Sequence, residues 1–195
     1  IRLLILRRTY QELESNHIRF LRQELHGIAT YRATDRIFAF PNGSTLEFGY
    51  CANDSDLGRY QGAEYDVIFL DECTQLKEQW MRLLAACIRG VNDFPKRIYY
   101  TCNPGGPSHS YIKRLFIDRR FEGGENPADY RFIPARVTDN AALLKAQPDY
   151  VNQLEALPKR LRLAWLEGRW DVFQGQVFTE FTDDPAHYHD RRHTH

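Results

Sequence analysis

Val67-Ile68-Phe69-Leu70-Asp71-Glu72 is the stretch on which the reading of this chain turns. A strand with one wet face alternates apolar and polar residues. Four apolar residues in a row, β-branched or aromatic among them, instead describe a strand covered on both faces, as in the middle of a parallel sheet. Parallel neighbours require crossover connections, so helices should alternate with strands on either side. The chain follows that order, and the sequence predicts an α/β fold with a mainly parallel sheet and helices on its faces.

Upstream, Arg2–Leu6 reads as a short buried strand. Thr9 and Glu12 have capping-box spacing, Leu13, Ile18, Leu21 and Leu25 fall largely on one helical face, and Gly27 is placed to stop that helix. Ile37–Phe40 and Thr45–Tyr50 read as strands around the turn Pro41-Asn42-Gly43-Ser44, and 54–62 reads as a polar loop. Downstream, Thr74 is placed to cap a helix that carries Trp80, Leu83, Leu84, Cys87 and Ile88 on one face and ends at Gly90. A strand at Arg97–Cys102 runs into Asn103-Pro104-Gly105-Gly106-Pro107, and a helix follows at 110–117. A loop at 122–129, a strand at 131–137 and two helices at 149–157 and 159–167, split by Pro158, complete the pattern.

The composition is that of a globular domain: 195 residues, 43% hydrophobic, 27% charged, with 26 basic and 26 acidic side chains in formal balance. No run approaches the ~18 apolar residues of a membrane span. The four cysteines, Cys51, Cys73, Cys87 and Cys102, form no Cys-x-x-Cys pair, which points to reduced thiols rather than a zinc or redox motif. Arginine outnumbers lysine 21 to 5, a bias that suits phosphate recognition. The chain begins at Ile1 and its single methionine is Met81, so it is expected to be a piece of something longer.

The chemistry starts at the two acids. A strand that ends in Asp-Glu resembles the Walker B element of P-loop ATPases. A buried parallel strand delivers both carboxylates to the edge of the sheet where open α/β folds bind ligands. There the first acid, Asp71, would hold the Mg²⁺ that bridges nucleotide phosphates, and the second, Glu72, would polarise the attacking water. About 30 residues on, the next strand ends in Thr101 and Asn103, two groups able to donate a hydrogen bond beside the acids. Asn-Pro-Gly-Gly is also good turn chemistry in its own right.

With these elements in order, the chain resembles the large subunit of bacteriophage terminases, motors that drive DNA into capsids. The resemblance rests on Leu6-Arg7-Arg8-Thr9-Tyr10, Phe40–Ser44, Tyr60–Asp66, Phe69–Glu72, Asn103–His109, Thr138-Asp139-Asn140, Gly168–Phe173 and Gly175–Phe178. It implies a three-layer P-loop-type sandwich, cut short at its N-terminus. Residues 1–172 would be the ATPase domain without its phosphate-loop strand and helix. Residues 173–195 would be a linker, the start of a nuclease domain and a disordered tail. It further implies ATP and Mg²⁺ as ligands, with Asp71, Thr101, Asn103 and Arg8 near the nucleotide. The arginine that such motors lend to a neighbouring subunit would be Arg59, although Gln61 stands closer to its usual place. Double-stranded DNA, a small terminase subunit, a capsid portal and further copies in a ring would be the partners. The setting would be the cytoplasm of a bacterial host, with no membrane role.

Several features stand outside that pattern. No Gly-Lys-Ser/Thr occurs among the 12 glycines, so the phosphate-binding loop would lie upstream of Ile1. Asp183 and Asp184 do not make a nuclease metal cluster, and four histidines crowd the last nine residues. From Lys96 to Arg136 there are 8 basic and 4 acidic residues, a candidate DNA-facing cluster or an ordinary solvated surface. Two other readings remain open on sequence grounds: a helicase-like nucleic-acid ATPase, and a truncated, non-catalytic prophage remnant.

Overall fold

The computed structural model describes residues 1–173. Its centre is a six-stranded sheet in the order β2-β3-β4-β1-β5-β6. Four strands run parallel: β1 (Arg2–Arg7), β4 (Thr45–Tyr50), β5 (Val67–Asp71) and β6 (Arg97–Thr101). The two outer strands, β2 (Thr30–Arg32) and β3 (Ile37–Ala39), join antiparallel to one another and to β4. The expected α/β fold with a mainly parallel sheet is therefore the observed one.

The sheet divides two cores, and β1 shows how. Leu4 and Leu6 enter one cluster with Ile68 and Leu70 of β5 and with Trp80, Met81 and Leu84 of helix α3 (Glu78–Ala85). Leu3 and Ile5, on the opposite face, pack with Leu13, Ile18, Phe38 and Phe48. Leu13 belongs to α1 (Tyr10–Leu13), which opens on the expected Thr9–Glu12 capping box. A π-turn at Glu14–Ile18 then carries the chain into α2 (Arg19–Glu24). Each buried aliphatic side chain contributes about 1.5–3 kcal/mol, so a strand packed on both sides is strongly fixed in place.

Departures from the sequence pattern have local causes. The stretch at 54–62 is not a plain loop: Asp54–Tyr60 winds as a 3₁₀-helix capped by Asn53. Thr74 does not cap α3. It lies in a 3₁₀ turn, Cys73–Gln75, and Lys77 occupies the cap position. That helix ends at Ala85, short of Gly90. The helix expected at 110–117 is α4 (His109–Ile112) running into a second π-turn, Lys113–Ile117. Residues 131–136 form no strand, because among the described residues no neighbour offers them a ladder. They line a cavity of about 780 Å³ whose other wall is β6. The short β2 carries no alternation long enough to be read. Near the end come α5 (Ala141–Ala146), α6 (Tyr150–Glu155) and α7 (Lys159–Trp165). Among the described residues no helix is long and apolar enough to cross a membrane.

Candidate active site

Parallel strands end together, so the sheet register places Arg7, Tyr50, Asp71 and Thr101 along one edge. Asp71 is the hub. Thr101 Oγ1 donates a hydrogen bond to its Oδ1. His17 Nε2 lies 2.7 Å from its Oδ2, and Arg7 Nε lies 3.0 Å from the same oxygen. Arg7 also reaches toward the second acid, with Nη2 3.8 Å from Glu72 Oε1. The Arg7 side chain is only 12% exposed, so its guanidinium works against these carboxylates with little screening by water.

The two adjacent acids are driven in opposite directions. Burial alone would raise the Asp71 carboxyl, but the hydrogen bonds from His17 and Thr101, with the Arg7 charge, outweigh it and hold the group below its ordinary value. For Glu72, burial and the neighbouring Asp71 charge push upward, and Arg7 only partly offsets them. One carboxylate is thus kept ionised and the other is held closer to proton exchange, the usual division of labour between paired acids.

The backbone is unusual at the second acid. Glu72 adopts φ 51°, a left-handed conformation that costs a non-glycine residue about 1–2 kcal/mol. The chain leaves the strand at that residue, and both carboxylates stay within reach of Arg7. The turn that follows is tied to the turn after β6. Thr74 Oγ1 donates to the Asn103 carbonyl at 3.1 Å, Ser108 N donates to the Thr74 carbonyl at 3.1 Å, and Ser108 Oγ donates to the Leu76 carbonyl. Gly106 makes this approach possible: its φ is +84°, and a Cβ there would collide with the Thr74 carbonyl.

His109 anchors the far side of that turn. It is buried, its Nδ1 accepts from Gly105 N at 3.0 Å, and its ring stacks on Trp170 with centroids 5.3 Å apart. Burial lowers its pKa, which suits an imidazole that accepts a hydrogen bond at Nδ1. Two stretches about 60 residues apart in sequence, Asn103–His109 and Gly168–Phe173, therefore meet in space.

The sequence expectations divide accordingly. Asp71, Glu72 and Thr101 come together. Asn103 joins through its backbone carbonyl, as the acceptor for Thr74. Arg8 is exposed and its side chain forms no hydrogen bond or ion pair among the described residues; the neighbouring arginine, Arg7, is the one that lies against Asp71 and Glu72. Arg7 ends β1 on the side of the acids, whereas Arg8 lies one residue beyond the strand. Arg59 reaches neither acid. Its Nη2 donates to Asp56 at 2.6 Å and to the Tyr50 hydroxyl at 2.9 Å, and its guanidinium lies 4.2 Å over the Tyr50 ring. His17 escaped the sequence reading altogether. Its only signal was helical phase, and the π-turn that holds it shifts that phase by one residue. Asp183, Asp184 and the terminal histidines lie outside the described residues. No cluster of three or more His, Cys, Asp or Glu side chains that could hold a metal occurs among the described residues.

Comparison with known proteins places this geometry in a family. The family described as "Terminase large subunit, T4likevirus-type, N-terminal" matches residues 3–182. The chain belongs to that family. Among solved structures, the large terminase of a thermophilic bacteriophage superposes with a TM-score of 0.68 at 18% identity, over 87% of this chain and 40% of that one. The same terminase in complex with ADP gives the same values. Its complex with ATP-γ-S gives 0.64 at 19% identity, over 87% and 39%. The chain thus spans about 40% of the length of the terminases it matches. No curated protein matches it by sequence search.

Proposed function

We propose that this chain is the catalytic half-site of an ATP-driven DNA-packaging motor, the ATPase domain of a terminase large subunit over residues 1–172. The observation that carries the reading is the pair of adjacent acids at one strand end, Asp71 lowered and Glu72 raised, with Asp71 joined by a hydrogen bond to Thr101 at the end of the next strand. Nucleotide-bound structures of the thermophilic phage terminase support ATP as the substrate class.

The donor set suits a hard cation held partly through substrate. Mg²⁺ commonly takes one or two protein carboxylates together with phosphate oxygens, and Asp71 offers one ionised carboxylate at the sheet edge. When bound, Mg²⁺ supplies charge neutralisation at the phosphates. Glu72 would accept the proton of the attacking water, for which a raised pKa in a half-buried place is appropriate. Arg7 and His17 would keep Asp71 oriented. Thr101, bonded to Asp71, and the Asn103 turn, tied to Thr74, would carry a change at the phosphates into the chain beyond β6. Arg59 is the candidate for a neighbouring subunit's site; its bonds to Asp56 and Tyr50 would have to open for that role. Residues 1–195 contain no Gly-Lys-Ser/Thr, so on this reading another part of the protein cradles the phosphates. A ring of copies, a small subunit and a portal would complete the assembly, acting on duplex DNA in the host cytoplasm.

Steady-state ATP turnover of the protein carrying Glu72→Gln tests this. A fall of about 10²–10⁴-fold is expected. Turnover at the unsubstituted rate would refute Glu72 as the base.

A further inference from the structure

A second basic region lies far from the acids, at the β2 edge of the sheet. A groove of about 720 Å³ runs there between the end of α2, the loop after it and the β2–β3 hairpin. Arg22 and His26 line it from the helical side and Arg32 from β2, and none of its lining residues is a carboxylate. Arg19 stands on α2 one turn before Arg22, and His26 lies in the turn that follows the helix. All four side chains belong to exposed residues. Among the described residues Arg19, Arg22 and Arg32 enter no ion pair, and Arg22 rests instead over the Tyr31 ring, 5.5 Å from its centroid. Four strand spacings separate β2 from β5, so the groove lies about 20 Å across the sheet from Asp71.

Four cations in the middle of the basic stretch singled out in sequence behave differently. Lys113 pairs with Asp118, Arg114 binds Glu125 through two hydrogen bonds, and Arg120 pairs with Asp118. Arg119 donates to the Pro127 and Tyr130 carbonyls. Those cations are already engaged within the chain. In the groove beside β2 no lining carboxylate engages the arginines.

We propose that this groove is a contact surface for the phosphate backbone of duplex DNA. The inference rests on the packaging reading for the choice of DNA. Arginine offers a planar, paired donor set that matches phosphate oxygens, and its charge does not titrate away. Two arginines one helical turn apart, facing a further arginine across a groove, suit a line of charges spaced by a few ångströms. Duplex is favoured over a single strand because the groove offers no run of open aromatic rings: Phe38 is buried, Tyr31 is covered by Arg22, and Phe40 alone is half-buried. Contacts of this kind follow the backbone and do not read sequence, as a translocating motor requires.

The test is fluorescence anisotropy of a labelled duplex oligonucleotide over a range of salt, with the full-length protein that includes the phosphate-binding segment, its Arg22→Glu/Arg32→Glu variant, and a Lys145→Glu/Lys159→Glu variant of equal net charge. The groove variant is expected to lose at least about tenfold in affinity and to lower the salt slope by about 2, while the control stays within about threefold of the parent. Mg-ATP affinity, measured on the same samples, is expected to be equal for the parent and the groove variant. Equal losses in both variants, no duplex binding by the parent, or preference for a single strand would each overturn the groove assignment. Loss of Mg-ATP binding in the parent alongside intact groove-dependent DNA binding would instead count against the ATPase reading, so the two failures are distinguishable.

Discussion

The acid edge of the sheet and the groove beside β2 both collect arginine, and they use it in opposite ways. At the acid edge Arg7 is nearly buried, set against Asp71 and Glu72, and its charge is spent within the chain. At β2 the arginines are exposed and face no carboxylate in the groove. A paired arginine fixes the shape of a site; an unpaired one is free to attract an anion from outside. The first kind should matter to folding and chemistry together, the second to ligand binding alone.

The comparison breaks most severely at the turn behind the acids. Gly106→Ala forces a side chain onto a left-handed backbone and into the Thr74 carbonyl. It is expected to cost about 2–4 kcal/mol in urea unfolding, which would loosen the tie between the ends of β5 and β6. A cost below about 0.5 kcal/mol would mean that the two turns are not held together as described.

Arg7→Ala leaves two carboxylates side by side without their cation. A loss of about 1–3 kcal/mol is expected, with a further rise in the Glu72 pKa measurable by NMR titration. An unchanged midpoint would place Arg7 among the surface charges.

Arg114 and Glu125 sharpen the contrast from a third place, since their pairing is internal but remote from the site. Hydrogen bonds from Arg114 and from the Glu122 backbone hold Glu125 down at about 2, from an ordinary value of 4.5. A depressed carboxylate contributes stability above its unfolded pKa and loses it as pH falls through the folded one. The gap in Tm between the parent and Glu125→Gln should therefore be full above about pH 4.5 and close toward pH 2. A gap independent of pH would contradict the pairing.

The smallest effect belongs to the groove. Arg22→Ala/Arg32→Ala should change unfolding free energy by no more than about 0.5 kcal/mol, because no ion pair is removed. A larger cost would show that these arginines support the fold.

How much of this was legible in the sequence depended on whether the signal was local. The run Val67–Leu70 announced a doubly covered strand because its apolarity is continuous, and the Thr9–Glu12 box announced α1 because capping spans three residues. The acids were legible because a strand end has one address. Arg7 and Arg8 were not separable by composition; only the last register position of β1 decides which faces Asp71. His17 depends on a π-turn, and its 54-residue separation from Asp71 leaves no short-range trace. The strand expected at 131–137 shows the same limit from the other side. Strand propensity was present, but a strand requires a partner, and none of the described residues supplies one.

The sharpest test asks whether Asp71 and Glu72 divide the labour as their environments suggest. It is the affinity for ATP, with and without Mg²⁺, of the protein carrying either Asp71→Asn or Glu72→Gln. Glu72→Gln is expected to keep the parent's affinity and its gain on adding Mg²⁺, whereas Asp71→Asn is expected to lose that gain. If both variants keep it, or both lose it alike, the division between a metal-holding acid and a water-activating acid is wrong.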